Sequence, residues 1–205
     1  MDTSRTQMLL KPKTQILFDN SWLNQLKFEE HTDYDLAGHV SAIALKSESG
    51  KVFDFYRSDP IEKPENFKLT AVCDKFKEAK DLVDFFSFIE TTRVRIHKQE
   101  PGQHIPLHTD GNNVEAKTKE EYRLRMITAL TADSNFIYEF EHEGIFYEYD
   151  LKLGESIIFD PDTVAHGMRN KSKTKTRLAL VQIFKAYPMH REFVQFINRK
   201  QLINI

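Results

Sequence analysis

The chain has 205 residues, 40% of them hydrophobic, and its 29 basic and 31 acidic side chains give a net charge of −2. This length is enough for one domain with a substantial core, and the small net charge offers nucleic acid no bulk attraction. The single cysteine, Cys73, excludes an internal disulfide and fits a reducing compartment. We therefore predict one domain, residues 1–205, that does not bind nucleic acid.

Nothing in the sequence predicts contact with a membrane. No stretch reaches the length of an apolar membrane-spanning helix. Residues 1–13 lack the apolar segment of a signal peptide. We therefore expect a soluble, cytoplasmic protein, whose oligomeric state the sequence leaves open.

The first 90 residues predict strands and helices that would support a site elsewhere. Alternating apolar residues indicate strands at residues 14–18, 39–45 and 51–56. Helices are predicted at residues 21–26, capped by Asp19 or Ser21, and at residues 74–90. In the second helix, apolar side chains recur at three- and four-residue spacings, so one face is expected to brace a sheet.

Residues 91–187 change to a pattern of short strands. Strands are predicted at residues 93–98, 104–108, 122–130, 135–140, 145–149, 155–160, 167–170 and 176–185. Short strands at even spacing are typical of a jelly roll, the cupin-like double-stranded β-helix. Residues 188–205 add an amphipathic helix at 189–202. The sequence thus predicts a mainly β fold with flanking helices.

Three side chains in this region have the types and spacing of a metal site. His108 and Asp110 stand two positions apart, so in an extended segment they point to the same face. Alone, the two would equally fit a hydrogen-bonded pair in a loop. A second histidine, His166, follows the apolar strand at 155–160. Two histidines and one carboxylate form the facial triad that holds non-haem Fe(II) and leaves coordination positions open.

A lone arginine follows the second histidine. Arg177 lies at the start of the otherwise apolar strand at 176–185. Burying a guanidinium is costly unless an anion meets it. That anion is either an acid across the barrel or a carboxylate of a bound ligand, for which we propose the distal carboxylate of 2-oxoglutarate.

The ordered set of His-x-Asp, His and Arg resembles the Fe(II)/2-oxoglutarate-dependent dioxygenases, and in particular the aspartyl/asparaginyl β-hydroxylase-like enzymes. The resemblance runs from about residue 85 to residue 188. Its carriers are Pro101-Gly102, residues 104–108, residues 123–126, the strand before Asp160, His166 and Thr176-Arg177.

This resemblance implies a reaction and its cofactors. His108, Asp110 and His166 would hold Fe(II), with 2-oxoglutarate and O2 as cosubstrates. The products would be succinate, CO2 and a substrate hydroxylated at an unactivated C–H bond. Halogenases of the wider family carry a small residue in place of the carboxylate, so Asp110 indicates hydroxylation.

The resemblance also implies roles for residues around the metal. Arg177 would bind the distal carboxylate of 2-oxoglutarate, and Arg125 would approach a carboxylate of the cosubstrate or substrate. His97 lies where the family often has a hydroxyl residue that helps to hold 2-oxoglutarate; a structural role fits it equally. Arg123 shares a strand face with Arg125 and is predicted to contact substrate.

His104 is predicted on the same strand face as His108, because the two are four residues apart. There it would contact substrate near the metal or act as a rival ligand. It lacks a carboxylate two residues on, which favours the first role.

Two departures from the subgroup concern the substrate. Ile127 stands where a histidine usually follows the arginine, and the polar segment 111–121 is longer than expected. Long loops beside a site are often lids or binding loops. We predict an amino acid substrate, free or within a peptide, held partly by Arg125 or Arg123. A nucleobase-directed demethylase and a non-enzymatic cupin-like metal-binding protein are the alternatives.

Overall fold

Two antiparallel sheets face each other and form the frame of the protein. The structure is a computed structural model that describes residues 9–11, 15–31, 38–55, 63–84, 91–110, 123–185 and 202–204. The strands are β1 (Leu9–Leu10), β2 (Gln15–Leu17), β3 (Glu29–Glu30), β4 (Ser41–Ser47), β5 (Lys68–Leu69), β6 (Thr91–Gln99), β7 (His104–His108), β8 (Arg123–Ala129), β9 (Phe136–His142), β10 (Ile145–Asp150), β11 (Ser156–Phe159), β12 (Ala165–Asn170), β13 (Arg177–Lys185) and β14 (Leu202–Asn204).

The chain winds between the two sheets. The larger sheet has the order β1-β11-β8-β13-β6-β4-β3, with β5 paired to β4, and the smaller sheet has the order β10-β9-β12-β7. From β6 to β13 the chain changes sheet at each connection except the hairpin β9–β10. This alternation defines a double-stranded β-helix, so the predicted jelly roll is confirmed. The division into three segments of one domain stays a prediction.

The two faces of the larger sheet pack against different partners. The outer face buries Ile43, Val94 and Leu180 against the helical segment that contains Leu82. The inner face packs on the smaller sheet, where Tyr138, Phe140 and Met168 meet Ile127 and Val181. A ligand site between the sheets is therefore enclosed by two layers of buried side chains.

The predicted helix at 74–90 differs from the observed one. It is divided into α1 (Ala71–Lys75) and α2 (Lys77–Asp84), and residues 85–90 lie outside the described part. Phe76 between them has extended backbone, with φ −121° and ψ 114°, and its ring packs 5.5 Å from that of Trp22. Thr70 caps α1 through its side chain, which accepts a hydrogen bond from the Val72 N–H. The periodicity predicted the buried face but not this break.

Of the other elements predicted before residue 56, some are confirmed and one is wrong. The strands at residues 15–17 and 41–47 overlap those predicted at 14–18 and 39–45, and residues 21–25 form a 3-10 helix in the place of the expected short helix. The strand predicted at 51–56 is wrong over its described part, because residues 51–55 form a turn and coil. There the Ala44 N–H donates to the Val52 carbonyl, so the segment folds back on β4 without pairing as a strand.

The predicted C-terminal helix lies almost entirely outside the described residues. At its end, residue Leu202 belongs to β14, which pairs in parallel with β2. The helix prediction is therefore wrong at that residue. None of the helices in the described ranges is both long enough and apolar enough to cross a membrane.

Candidate active site

His108, Asp110 and His166 meet at one end of the smaller sheet. His108 ends β7 and pairs directly with His166 near the start of β12. Asp110 follows two residues later, where its backbone N–H donates to the Pro161 carbonyl at 2.8 Å. One donor atom of each side chain lies within 4.8 Å of the other two. The sequence prediction that these residues converge is confirmed.

The donor atoms surround a space suited to a cation. Asp110 Oδ1 lies 3.6 Å from His108 Nε2 and 3.6 Å from His166 Nε2. A cation between them would reach each donor at the length of an ordinary coordination bond, about 2 Å. Two imidazoles and one carboxylate also match the donor set of non-haem Fe(II). The residues therefore fit the metal that the resemblance implies.

Backbone carbonyls fix the tautomer of both histidines. His108 Nδ1 donates to the Pro106 carbonyl at 2.9 Å, and His166 Nδ1 donates to the Val164 carbonyl at 3.1 Å. Each Nε2 is then left with its lone pair directed at the site, as in metal-ligating histidines generally. Burial, followed by the nearby charge of Arg125, lowers the pKa of His166 to about 3. His166 is therefore neutral near pH 7 and able to act as a ligand.

A β-bulge determines which histidines of β7 face the metal site. Between the pairs His166–His108 and Met168–Ile105, β7 contains one residue more than β12. His104 consequently pairs with Arg169 and lies exposed on the outer face of the sheet. The prediction that His104 shares a face with His108 is wrong, because regular alternation does not hold across a bulge.

Gly167 makes the bulge possible. A Cβ at this position would lie 2.8 Å from the Ile105 carbonyl oxygen and 3.1 Å from the Leu107 nitrogen, both backbone atoms of β7. Any larger side chain would therefore push β7 away from β12 and separate His108 from His166.

We expect Gly167→Ala to lower metal affinity by about tenfold and stability by roughly 1–3 kcal/mol, the usual cost of overpacking. Isothermal titration with Mn(II) and thermal unfolding would measure both. Ala165→Ser, on the same strand and without this backbone contact, is the matched control. Metal affinity in Gly167→Ala equal to that of the control would contradict a positioning role.

Arg177 is buried at 1% exposure among neutral groups. Its guanidinium donates to Gln99 Oε1, contacts Met168 Sδ and stacks 4.0 Å from the Tyr138 ring centroid. Its Nε has no hydrogen-bond partner in the described ranges. Within the described part of the chain, no acid lies at ion-pair distance from Arg177. The expected alternative, an acid across the barrel, is therefore not observed there.

His97 lies on the inner face of β6 between small residues. It pairs with Ala42 on β4 and with Ala179 on β13, and Ala179 pairs in turn with Ala129 on β8. Among the described residues neither ring nitrogen of His97 has a hydrogen-bond partner, although the side chain is only 7% exposed. Burial above all holds its pKa well below the ordinary value, so the ring is neutral. We call Ala42, Ala129 and Ala179 the alanine row.

Arg125 contacts the triad directly. Its NH1 lies 2.6 Å from His166 Nε2, and its NH2 donates to Asp110 Oδ2. Ile127, two residues on, is buried in the core between the sheets. The side chain of Arg123 and the segment 111–121 lie outside the described residues.

Sequence reasoning missed the neighbours of Arg177. The sequence offered a weak indication that Gln99 faces the site, because it is two residues after His97 on the same strand face. The sequence offered no such indication for Tyr138 and Met168, since their contact with Arg177 depends on pairing between strands that are distant in sequence.

Comparison with known families gives a match over most of the sequence. Residues 23–186 match the model of the aspartyl/asparaginyl beta-hydroxylase family. The chain belongs to this family. It is therefore a 2-oxoglutarate-dependent hydroxylase that uses Fe(II), 2-oxoglutarate and O2, with His108, Asp110 and His166 as its candidate facial triad.

Solved structures resemble the hydroxylase in fold. An oxidoreductase of the 2OG-Fe(II) oxygenase family from Burkholderia pseudomallei is 10% identical with a TM-score of 0.52, over 78% of this chain and 72% of that chain. The non-heme alpha ketoglutarate dependent epimerase SnoN from nogalamycin biosynthesis is 9% identical with a TM-score of 0.50, over 80% and 67%. No curated protein matches the sequence.

Proposed function

We propose that this hydroxylase acts in the cytoplasm on an amino acid, free or within a peptide, and inserts oxygen at an unactivated C–H bond. His108, Asp110 and His166 bind the iron, and Arg177, His97 and Arg125 bind 2-oxoglutarate or an anionic group of the substrate. The observation that carries the proposal is the buried Arg177, which has no ion pair with an acid among the described residues and lies in the same barrel as the triad.

Arg177 is suited to the distal carboxylate of 2-oxoglutarate. Its described contacts, Gln99, Met168 and Tyr138, are all neutral, so none of them compensates its charge. A guanidinium matches a carboxylate through two parallel hydrogen bonds. A ligand carboxylate would supply both the missing charge and an acceptor for the unpaired Nε.

His97 and the alanine row support the same placement. The methyl groups of Ala42, Ala129 and Ala179 take little space on the inner face of the larger sheet. The neutral His97 ring offers one N–H donor beside this row, and its nitrogens have no partner in the part of the chain that the structure describes. A buried polar group of this kind is costly unless a ligand or water meets it.

The chemistry divides between the cofactors and the protein. Bound Fe(II), 2-oxoglutarate and O2 supply an oxidant that removes hydrogen from a C–H bond, with succinate and CO2 as co-products. The protein orients the donors, and the hydrogen bonds from Nδ1 of His108 and His166 to backbone carbonyls support this role. The apolar walls from Phe140 and Phe159 exclude water around His166.

A substrate screen tests the proposal. The protein would be loaded with Fe(II) under anaerobic conditions, mixed with 2-oxoglutarate and a candidate amino acid or peptide, and exposed to O2. We expect succinate formation to rise above the substrate-free rate for at least one carboxylate-bearing candidate, and to be absent in His166→Ala. Succinate formation that no amino acid or peptide stimulates would contradict the proposed substrate class.

A further inference from the structure

Arg125 lies directly beside the candidate triad. It lies on the inner face of β8, paired with Ile183 of β13 and Phe159 of β11. From there its guanidinium reaches two of the three metal ligands, His166 and Asp110.

The contact with His166 uses the atom that a metal needs. The Nδ1 of His166 donates to the Val164 carbonyl, so Nε2 is the acceptor on this ring. A guanidinium has only donors and does not lose its proton in proteins, so Arg125 NH1 donates to Nε2, at 2.6 Å. The neutral ring has one lone pair on Nε2, which accepts either this hydrogen bond or a coordination bond.

The contact with Asp110 is compatible with metal binding. Asp110 Oδ1 faces both histidine Nε2 atoms at 3.6 Å, whereas Oδ2 accepts from Arg125 NH2. The two carboxylate oxygens are thus divided between the metal site and the arginine. Arg125 can keep Oδ1 directed at the site while NH1 leaves His166.

We propose that Arg125 competes with the metal ion for His166 Nε2 and, after it is displaced there, holds Asp110 as a ligand through Oδ1 alone. This inference rests on the proposed iron site. It makes Arg125 a positioning residue that sets metal affinity. Arg125 has two opposing effects on metal affinity. Its charge repels the cation and weakens binding, while its hydrogen bond orders the carboxylate of Asp110 and strengthens binding.

The repulsion is the larger effect. A full positive charge beside a divalent cation in a half-buried site interacts strongly, since water screens it incompletely. The hydrogen bond to Oδ2 only restricts a carboxylate whose backbone the Pro161 contact already fixes. Removal of the guanidinium is therefore expected to strengthen metal binding.

The test measures Mn(II) binding to the full chain by the electron paramagnetic resonance signal of the free ion. We expect Arg125→Met to bind Mn(II) about tenfold more tightly than wild type, and Arg125→Lys, which keeps the charge, to lie between them. Arg169→Met, which removes an arginine from the outer face of the smaller sheet, is the matched control and should match wild type.

Thermal unfolding without metal gives a second readout. Arg125→Met should unfold at a lower temperature, because Asp110 and His166 lose their partner, while its Mn(II) affinity rises. A merely structural role would lower both quantities. If a folded Arg125→Met variant binds Mn(II) no more tightly than wild type, the proposed competition is wrong. Wild-type protein that binds no Mn(II) overturns instead the iron site on which this inference rests.

Discussion

His108→Ala and His166→Ala are each expected to abolish stoichiometric iron binding, whereas His104→Ala leaves it intact. Removal of either histidine leaves two donors of the triad, too few to hold a borderline divalent cation firmly. His104 lies on the same strand as His108 but on the outer face, paired with Arg169. It is therefore a matched control for the loss of an imidazole from β7.

Iron content after anaerobic reconstitution and desalting measures this prediction. Co(II) absorption provides a second readout, because its intensity reports the coordination number. All three variants should keep the wild-type circular dichroism spectrum. Equal loss of iron in His104→Ala and His108→Ala would mean that the bulge does not turn His104 away from the metal.

Arg177→Ala is expected to weaken 2-oxoglutarate binding by roughly 2–5 kcal/mol, the cost of leaving a desolvated carboxylate unpaired. Arg177→Lys should fall between Ala and wild type, because an ammonium offers a point charge without the parallel hydrogen bonds of a guanidinium. Iron binding should survive both changes, since Arg177 contacts none of the triad among its described partners.

The measurement is a titration of the anaerobic Fe(II) protein with 2-oxoglutarate, followed by metal-to-ligand charge-transfer absorption. Lys175→Ala is the control, because Lys175 is exposed, pairs with Asp133 and precedes Arg177 by two residues. Unchanged affinity in Arg177→Ala would place the anchor elsewhere, with Arg125 and His97 next to be tested.

Stability distinguishes a ligand-binding role of Arg177 from a structural one. None of its described contacts carries a negative charge, so the folded protein bears the cost of a buried cation. Arg177→Met should therefore unfold at the same temperature as wild type or higher. A residue kept for cosubstrate binding at the expense of stability shows this pattern.

The sequence predicted the triad because two of its members are close in the chain and the third follows a readable strand. His-x-Asp on an extended segment fixes the relative direction of His108 and Asp110. The apolar run before Asp160 then places His166 just beyond a buried strand. The positions of most strands along the chain were equally accessible, since turns such as Glu143-Gly144, where both residues have positive φ, separate the apolar runs.

Features that depend on pairing between distant strands were not accessible. The bulge in β7 arises from its register with β12, and it reverses the direction expected for His104. The contact of Arg125 with His166 joins residues 41 positions apart. The break at Phe76, whose ring packs on that of Trp22, is not marked by helix propensity. Periodicity identifies the face of an element but does not give its register.

The alanine row has a consequence for engineering. Ala42, Ala129 and Ala179 lie at one level of three strands, so the depth between the sheets there is set by methyl groups. Enlarging Ala129 or Ala179 would reduce this depth without changing a residue of the candidate triad. Such a variant is expected to accept a shorter 2-oxo acid in place of 2-oxoglutarate. Adding that acid to a mixture of related oxygenases would then activate the variant alone.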